Sequence, residues 1–170
     1  MKIVDGELSI RSAVVADAPF FGNAWRDGEI MVTAGFPNGL DVKDEDIVKQ
    51  IEGHTIKLLV LEADGEAIGE MHYKDESEQT ASFGIKIYSK EKRGQGLGSR
   101  FIKMLLAELF SNHGYERIIV DAAIRNIAAQ RTYQGIGFKE VQVVMGSWVD
   151  QLGQSQGHID YELIKANFQA

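Results

Sequence analysis

Residues 80–100 read TASFGIKIYSKEKRGQGLGSR, an alternating apolar run followed by a turn with three glycines in five positions. The alternation of Phe83, Ile85 and Ile87 predicts a strand, and the apolar residues after Ser99 recur at helical spacing. The first N–H groups of a helix lack partners inside it, and the helix dipole favours negative charge at that end. The stretch therefore predicts a strand, a glycine turn and a helix that together bind an anion.

Two common phosphate-binding loops do not fit this turn. The P-loop pattern GxxxxGK[ST] is absent from the chain. The dinucleotide pattern GxGxxG would begin at Gly94 and Gly96, but its sixth position is Ser99. The turn also lies in mid-chain after a predicted hairpin, whereas the dinucleotide turn opens a βαβ unit. A nucleotide-binding oxidoreductase is therefore disfavoured.

The charge of the chain is unevenly distributed. The 170 residues carry 18 basic and 25 acidic side chains, a net charge of −7, which disfavours nucleic acid and anionic membranes as partners. Residues 1–80 hold 7 basic and 17 acidic side chains, whereas residues 86–103 hold six basic side chains and one acidic. This distribution favours an anionic ligand at the glycine turn and a cationic ligand elsewhere, although an ordinary solvated surface would look similar.

Cysteine is absent, which excludes disulfides, thiolate metal ligands and a cysteine nucleophile in this chain. The four histidines lack the spacing of metal ligands, so we expect no metal. No linker, repeat, signal peptide or membrane-spanning run is recognisable, so we expect a single domain over residues 1–170 in the cytoplasm.

The pattern of apolar residues predicts an α+β fold. Strands are predicted at 1–12, on both sides of Asp64-Gly65, and at 80–89, 117–123, 137–149 and 158–164. Helices are predicted after Asp17 and at 43–53, 99–110 and 126–136. The order βααβββαβαββ indicates a mixed central sheet of about six to seven strands with helices on both faces. The exposed edge strands and the long C-terminal hairpin are compatible with a homodimer.

A second motif follows the glycine turn at a defined distance. The turn contains Arg93-x-x-Gly96-x-Gly98, and after one helix and one strand comes Asn126-x-x-Ala129-x-x-x-Tyr133-x-x-x-Gly137-Phe138. On these two motifs residues 80–140 resemble the GNAT superfamily of acetyl-CoA-dependent N-acetyltransferases, and the order of elements extends the resemblance over the whole chain. The segments AGFPNGL and SWVDQLG look closest to the bacterial branch related to ribosomal-protein N-terminal acetyltransferases.

The resemblance implies acetyl-CoA as donor and assigns residues to it. The coenzyme diphosphate would lie on the turn formed by Arg93, Gly94, Gln95, Gly96, Leu97, Gly98 and Ser99. The pantetheine arm would pair with the strand Ile85-Lys86-Ile87 and contact Asn126 and Ala129. Asn126 is equally suited to cap the helix that follows it.

Tyr133 is the expected catalytic acid. Attack of an amine on a thioester expels a thiolate, and a nearby phenol can donate a proton to the sulfur. The alternative is an ordinary core tyrosine. Because the chain has no cysteine to carry an acetyl group, direct transfer in a ternary complex is favoured.

The general base, which removes a proton from the attacking amine, is less clearly indicated by the sequence. Many relatives carry a glutamate where this chain has Ser82. We expect Asp121, or else Glu70, to be the general base that takes a proton from the amine. Asp121 could instead pair with Arg125 or cap the next turn. Glu70 could instead lie on a solvated strand face. His72 is a further candidate for proton relay.

The acceptor is expected to be a primary amine: a protein N-terminus, a polyamine or an amine-bearing antibiotic. The resemblance places it between the first two helices and the last hairpin. The candidate residues there are Trp25, Phe36, Trp148, Asp160 and Tyr161, with His72 nearby. A non-catalytic coenzyme A-binding module remains the alternative, because the usual glutamate is missing.

Overall fold

A computed structural model describes residues 1–169 as one sheet of eight strands flanked by helices on both faces. The strands are β1 (Lys2–Asp5), β2 (Leu8–Ser12), β3 (Lys57–Ala63), β4 (Glu66–Ser77), β5 (Thr80–Ile87), β6 (Arg117–Ala123), β7 (Lys139–Val149) and β8 (Ser155–Ile164). Their spatial order is β1-β2-β3-β4-β5-β6-β8-β7. All neighbouring pairs are antiparallel except β5 and β6, which are parallel.

The helices are α1 (Ala18–Trp25), α2 (Gly28–Met31), α3 (Asp44–Gly53), α4 (Leu97–Asn112) and α5 (Ile127–Ile136). Short 3-10 turns occur at Val15–Asp17, Val32–Ala34 and Lys165–Asn167. Within residues 1–169 no helix is long and apolar enough to span a membrane.

The sheet has a separate apolar core on each face. Alternate residues of β3 point to opposite faces, so that Leu58 and Val60 pack with α1 and α3. Leu59 and Leu61 belong to the larger core formed with α4. The expected α+β class with helices on both faces is therefore observed.

Two predictions about the elements are wrong. Residues 1–12 form two strands joined at Gly6, whose φ of 60° is left-handed, so the sheet has eight strands instead of six to seven. The prediction also lacks α2, which is only four residues long. The observed order is therefore ββαααβββαβαββ. By contrast, the predicted hairpin turn at Asp64-Gly65 is confirmed, with φ angles of 53° and 80° typical of a tight two-residue turn.

The pairing of β5 with β6 is short, and this creates the functional region. The register runs only from Thr80 opposite Arg117 to Ser82 opposite Ile119. Beyond Ser82 the ladder between these strands ends, and a split opens between them within the described residues 1–169. The split divides the sheet into a β1–β5 half and a β6–β8 half.

Candidate functional site

A cavity of about 560 Å³ lies at the open end of the split. Its walls come from the end of β5, the glycine turn, the starts of α4 and α5, and residues 29–33 around α2. Eleven of the twelve residues assigned above to the coenzyme line it, as does Tyr133, which is expected both to contact the coenzyme and to act as the acid: Ile85, Lys86, Ile87, Arg93, Gly94, Gly96, Leu97, Gly98, Ser99, Asn126, Ala129 and Tyr133. Gln95 does not line it, because its side chain donates a 2.6 Å hydrogen bond to the carbonyl of Glu91.

Strand β5 presents free backbone groups to this cavity. The N–H of Tyr88 donates to the carbonyl of Ile68 at 2.8 Å, which fixes the alternation of the antiparallel β4–β5 ladder. By that alternation the backbone groups of Lys86 face β4, whereas those of Ile85 and the N–H of Ile87 face the split. The Ile87 carbonyl is occupied by a hydrogen bond from Arg93. An extended amide-containing ligand could therefore pair with β5 as an added strand.

The glycine turn has the geometry of an anion site. Gly94 and Gly96 adopt left-handed φ angles of 73° and 76°, and a Cβ at either would meet no atom within 4 Å. Helix α4 begins at Leu97, so the N–H groups of its first turn point into the cavity without helical partners. The turn therefore fits a coenzyme diphosphate through its backbone.

The Arg93 side chain braces the turn. Its Nε donates to the carbonyl of Ile87 at 2.9 Å, and one terminal nitrogen donates to the carbonyl of Tyr88 at 3.3 Å. The guanidinium thereby ties the glycine turn to the end of β5 while it lines the cavity.

Asn126 caps helix α5, as the sequence allows. Its Oδ1 accepts a 3.2 Å hydrogen bond from the N–H of Ala129. Its amide nitrogen remains available to the cavity that Asn126 lines. Capping and ligand binding are therefore compatible roles.

Tyr133 lies at the boundary between the cavity and the core. It is 5% exposed, and its ring contacts Phe83 and Tyr161 edge-to-face at 6.0 and 5.8 Å between centroids. Burial, and then the negative charge of Asp121, raises the pKa of the Tyr133 phenol above its ordinary value. The phenol is therefore protonated at neutral pH and able to donate.

Asp121 lies on the other face of the sheet from Val120 and Ala122, which are buried. It lines a second cavity, of about 350 Å³, that also contains His72, Asp160 and Tyr161. No ion pair or side-chain hydrogen bond engages Asp121 within the described part of the chain. The alternative of an Asp121–Arg125 pair is not observed, since Arg125 lies 3.7 Å from Asp150.

Glu70 has a different environment from Asp121. It is 8% exposed, and one of its oxygens accepts hydrogen bonds from Trp25 Nε1 at 2.7 Å and from the Tyr88 hydroxyl. Burial raises the pKa of Glu70, although these two donors and the nearby Lys86 oppose the rise. Glu70 lines neither cavity. The alternative that Glu70 lies on a solvated strand face is wrong, because its side chain is buried.

His72 and Asp160 both line the second cavity. The His72 ring lies against Gly84, where a Cβ would overlap it. Burial, then Lys86 and Lys74, lower the pKa of His72, so that its imidazole is neutral at pH 7. Asp160 lies directly across the β6–β8 ladder from Asp121 and accepts a 2.6 Å hydrogen bond from Gln142.

The remaining acceptor candidates lie outside both cavities. The indole N–H of Trp25 donates a hydrogen bond to Glu70, and Phe36 lies in the α2–α3 turn. Trp148 packs against Gly35 of that same turn. The aromatic residues of the first helices and the last hairpin are thus not gathered into one pocket.

A contact that the sequence did not reveal joins these two segments. We call it the turn bridge: residues 35–39 of the α2–α3 turn against Trp148 and Gln151 of the β7–β8 hairpin. The N–H of Gln151 donates to the carbonyl of Gly35 at 2.9 Å. The Gln151 amide accepts from the N–H of Asn38 at 2.8 Å and donates to the carbonyl of Gly39 at 2.9 Å. Only the run of turn-forming residues in GFPNGL signalled that this segment could fold back.

No group of three or more potential metal ligands lies together within residues 1–169.

Several solved structures share this fold. A probable acetyltransferase is 20% identical, with 99% of each chain covered and a TM-score of 0.83. Spermidine N-acetyltransferase from Vibrio cholerae, in complex with CoA and spermine, is 19% identical over 96% of this chain and 98% of that one, with a TM-score of 0.83. The RimL ribosomal L7/L12 alpha-N-protein acetyltransferase, in complex with coenzyme A, is 16% identical over 96% and 98%, with a TM-score of 0.82. At these identities the likeness establishes the fold.

The family follows from the sequence. No curated protein matches the chain at a significant level. The family model described as Acetyltransferase (GNAT) domain matches residues 7–139, which include both motifs and most of the larger cavity. The chain therefore belongs to the GNAT acetyltransferase family, as an acetyl-CoA-dependent enzyme.

Proposed function

We propose that this enzyme transfers acetyl directly from acetyl-CoA to a primary amine in a ternary complex. The observation that carries the proposal is that Tyr133 and Asp121 line two different cavities beside the split. Tyr133 lines the larger cavity, which fits the coenzyme, and Asp121 lines the second cavity. Burial, and to a smaller extent the charge of Asp121, raises the pKa of the Tyr133 phenol, which keeps it protonated as a proton donor.

The donor would be held by backbone and side chain together. The first turn of α4 would bind the diphosphate, Ile85 and Ile87 would pair with the pantetheine amides, and the Asn126 amide would contact the same arm. When bound, acetyl-CoA supplies an activated acyl group on a thioester. The β5 backbone N–H that faces the split is suited to stabilise negative charge on the thioester oxygen.

Proton transfer defines the roles of the two side chains. An alkylamine with a pKa near 10.4 is neutral in only about one molecule in 2,500 at pH 7, so a base is needed before attack. Among residues 1–169 Asp121 has no side-chain partner and is exposed, whereas Glu70 is buried and accepts two hydrogen bonds already. We therefore assign the base to Asp121, directly or through water.

The balance of the reaction is as follows. The amine nitrogen forms a bond to the acetyl carbon, and the carbon–sulfur bond breaks. The nitrogen loses two protons. The first passes to Asp121 and from there to solvent. The departing sulfur gains the phenolic proton of Tyr133. The second proton from nitrogen then reprotonates the Tyr133 phenolate. The net products are an amide, free coenzyme A and one proton.

A thiol-release assay with acetyl-CoA and a panel of amines tests this proposal. The panel contains spermidine, an aminoglycoside and a short peptide with a free N-terminus. We expect Tyr133→Phe to lower kcat by about 10²- to 10⁴-fold while acetyl-CoA still raises the melting temperature. Tyr73→Phe is the matched control, because Tyr73 is a buried tyrosine that lines neither cavity.

The base is tested by comparing Asp121→Asn with Glu70→Gln. Asp121→Asn should lower the rate of thiol release, whereas Glu70→Gln should act mainly on stability. The reverse pattern would move the base to Glu70. Absence of thiol release with every amine, while acetyl-CoA still raises the melting temperature, would favour a coenzyme A-binding module.

A further inference from the structure

A buried cluster with no part in the proposed reaction adjoins the glycine turn. We call it the carboxylate anchor: Trp25, Glu70 and Tyr88. The Oε2 atom of Glu70 accepts a hydrogen bond from Nε1 of Trp25 at 2.7 Å and another from the Tyr88 hydroxyl. A carboxylate is costly to bury unless it is hydrogen-bonded, and Glu70 is 8% exposed. The two donors therefore stabilise the buried carboxylate, and the carboxylate in turn fixes both of their side chains.

Tyr88 is the first residue after β5, where the chain leaves the sheet for the glycine turn. Its N–H donates to the carbonyl of Ile68 at 2.8 Å, and its ring packs on the ring of Phe20 with 5.1 Å between centroids. Burial, and then the charge of Glu70, raises the pKa of the Tyr88 phenol, so that it remains a hydrogen-bond donor. Tyr88 is thus held to β4 by its backbone and its hydroxyl, and to α1 by its ring.

Arg93 connects this fixed point to the glycine turn. The carbonyls of Ile87 and Tyr88 accept hydrogen bonds from the Arg93 guanidinium at 2.9 and 3.3 Å. Gly94 and Gly96 follow in left-handed conformations. Because glycine restricts the backbone least, the order of such a turn depends on contacts from outside it. Arg93 provides such a contact, and the carboxylate anchor fixes the end of β5 that receives it.

We propose that Tyr88 is a positioning residue for the coenzyme site. Its hydroxyl on Glu70 fixes the end of β5, and the end of β5 fixes the glycine turn through Arg93 before the coenzyme binds. The inference rests on the placement of the coenzyme diphosphate in the proposed function. A loop that is already ordered loses less conformational entropy when its ligand binds, so the carboxylate anchor raises the affinity for acetyl-CoA. None of its three side chains lines either cavity, so the chemical step should not depend on it.

The first test is Tyr88→Phe, which removes the hydroxyl and keeps the ring that packs on Phe20. Titration calorimetry should show the Kd of coenzyme A raised about 10-fold, which corresponds to about 1.4 kcal/mol and is close to the contribution of one hydrogen bond to a charged group. In the thiol-release assay the KM for acetyl-CoA should rise similarly, with kcat and the KM for the amine little changed. A lower kcat with an unchanged Kd would contradict a positioning role.

Two comparisons separate positioning from a general loss of stability. The Tyr115 hydroxyl also donates to a carboxylate of β4, that of Asp75, and neither residue lines a cavity. Tyr115→Phe should therefore lower the melting temperature and leave the Kd of coenzyme A unchanged. Glu70→Gln keeps a side-chain oxygen that can accept from both donors, so it should retain wild-type affinity for coenzyme A. Glu70→Ala should reproduce the loss of affinity in Tyr88→Phe.

A double-mutant cycle tests the route through Arg93. Arg93→Ala removes the connection between β5 and the glycine turn, so it should weaken the binding of coenzyme A. Adding Tyr88→Phe to Arg93→Ala should then weaken binding no further, because the two residues act in one chain of contacts. A cooperative melting transition in each variant shows that it folds.

The outcomes separate this inference from the proposed function. If Arg93→Ala binds coenzyme A like the wild type, the diphosphate is not on the turn, and the proposed coenzyme placement fails together with the inference. If Arg93→Ala weakens binding but Tyr88→Phe does not, the placement stands and the positioning role is overturned. Equal increases of Kd in Tyr88→Phe and Tyr115→Phe, or an equal effect of Tyr88→Phe with and without Arg93, also overturn it.

Discussion

Replacement of Gly35 by alanine should break the turn bridge and destabilise the protein. Gly35 is buried, with a φ of 90°, and a Cβ there would lie 2.5 Å from Cη2 of Trp148 and closer still to Cζ3. The left-handed conformation alone costs a non-glycine residue about 1–2 kcal/mol. Forcing a methyl group against a packed ring adds about 1–3 kcal/mol. We therefore expect Gly35→Ala to lose about 2–5 kcal/mol of unfolding free energy.

Gly153→Ala is the matched control for this prediction. Gly153 lies in the β7–β8 hairpin two residues after Gln151 and has a φ of 78°, but a Cβ there would meet no atom within 4 Å. Its substitution should therefore show the backbone cost of about 1–2 kcal/mol without the steric one.

Urea unfolding followed by tryptophan fluorescence measures both variants. With a denaturant slope near 2 kcal/mol/M, an extra 2 kcal/mol in Gly35→Ala corresponds to a midpoint about 1 M lower than that of Gly153→Ala. Equal midpoints for the two variants would show that the indole of Trp148 does not pack on Gly35. The Trp148–Gly35 contact of the turn bridge would then be refuted.

Two further predictions concern stability. Gly135 lies inside helix α5, and a Cβ there would meet no atom within 4 Å. Gly135→Ala should therefore raise the free energy of unfolding by about 1 kcal/mol in the same urea assay. A loss of stability would contradict the open surroundings of Gly135. Hydrogen bonds from Arg11 hold the pKa of Asp17 below its usual 3.8, so this carboxylate contributes stability above that pH and loses it as the pH falls through the lowered pKa. The difference in unfolding free energy between the wild type and Asp17→Asn should therefore be present at pH 7 and shrink below pH 3.8, and a difference that is constant with pH would exclude this linkage.

Features encoded by neighbouring residues were predictable from the sequence. The glycine turn, the Asp64-Gly65 hairpin and the Asn126 cap each depend on a few consecutive residues whose backbone preferences decide the outcome. The missed β1–β2 hairpin carried the same signal, since Asp5-Gly6 repeats the dipeptide at residues 64 and 65.

Features that depend on distant contacts could not be predicted in this way. Asp121 and Glu70 look equivalent as acids on strands, but Trp25, 45 residues away in the sequence, donates a hydrogen bond to Glu70, whereas no side chain in the described part of the chain pairs with Asp121. The turn bridge joins Gln151 to Gly39 across 112 residues. Such partners are chosen by the packing of whole elements, which local patterns do not specify.

The brevity of the β5–β6 ladder has a consequence for the lifetime of the protein. In residues 1–169 the ladder joins the β1–β5 half of the sheet to the β6–β8 half by three residue pairs. In the free enzyme we expect the β6–β8 half to open as a separate unit, with faster amide exchange than β3 and β4. In the proposed complex the donor would lie in the split as an additional strand beside β5, so exchange should slow in both halves together when acetyl-CoA is bound. The supply of its substrate would then set how long this enzyme resists proteolysis.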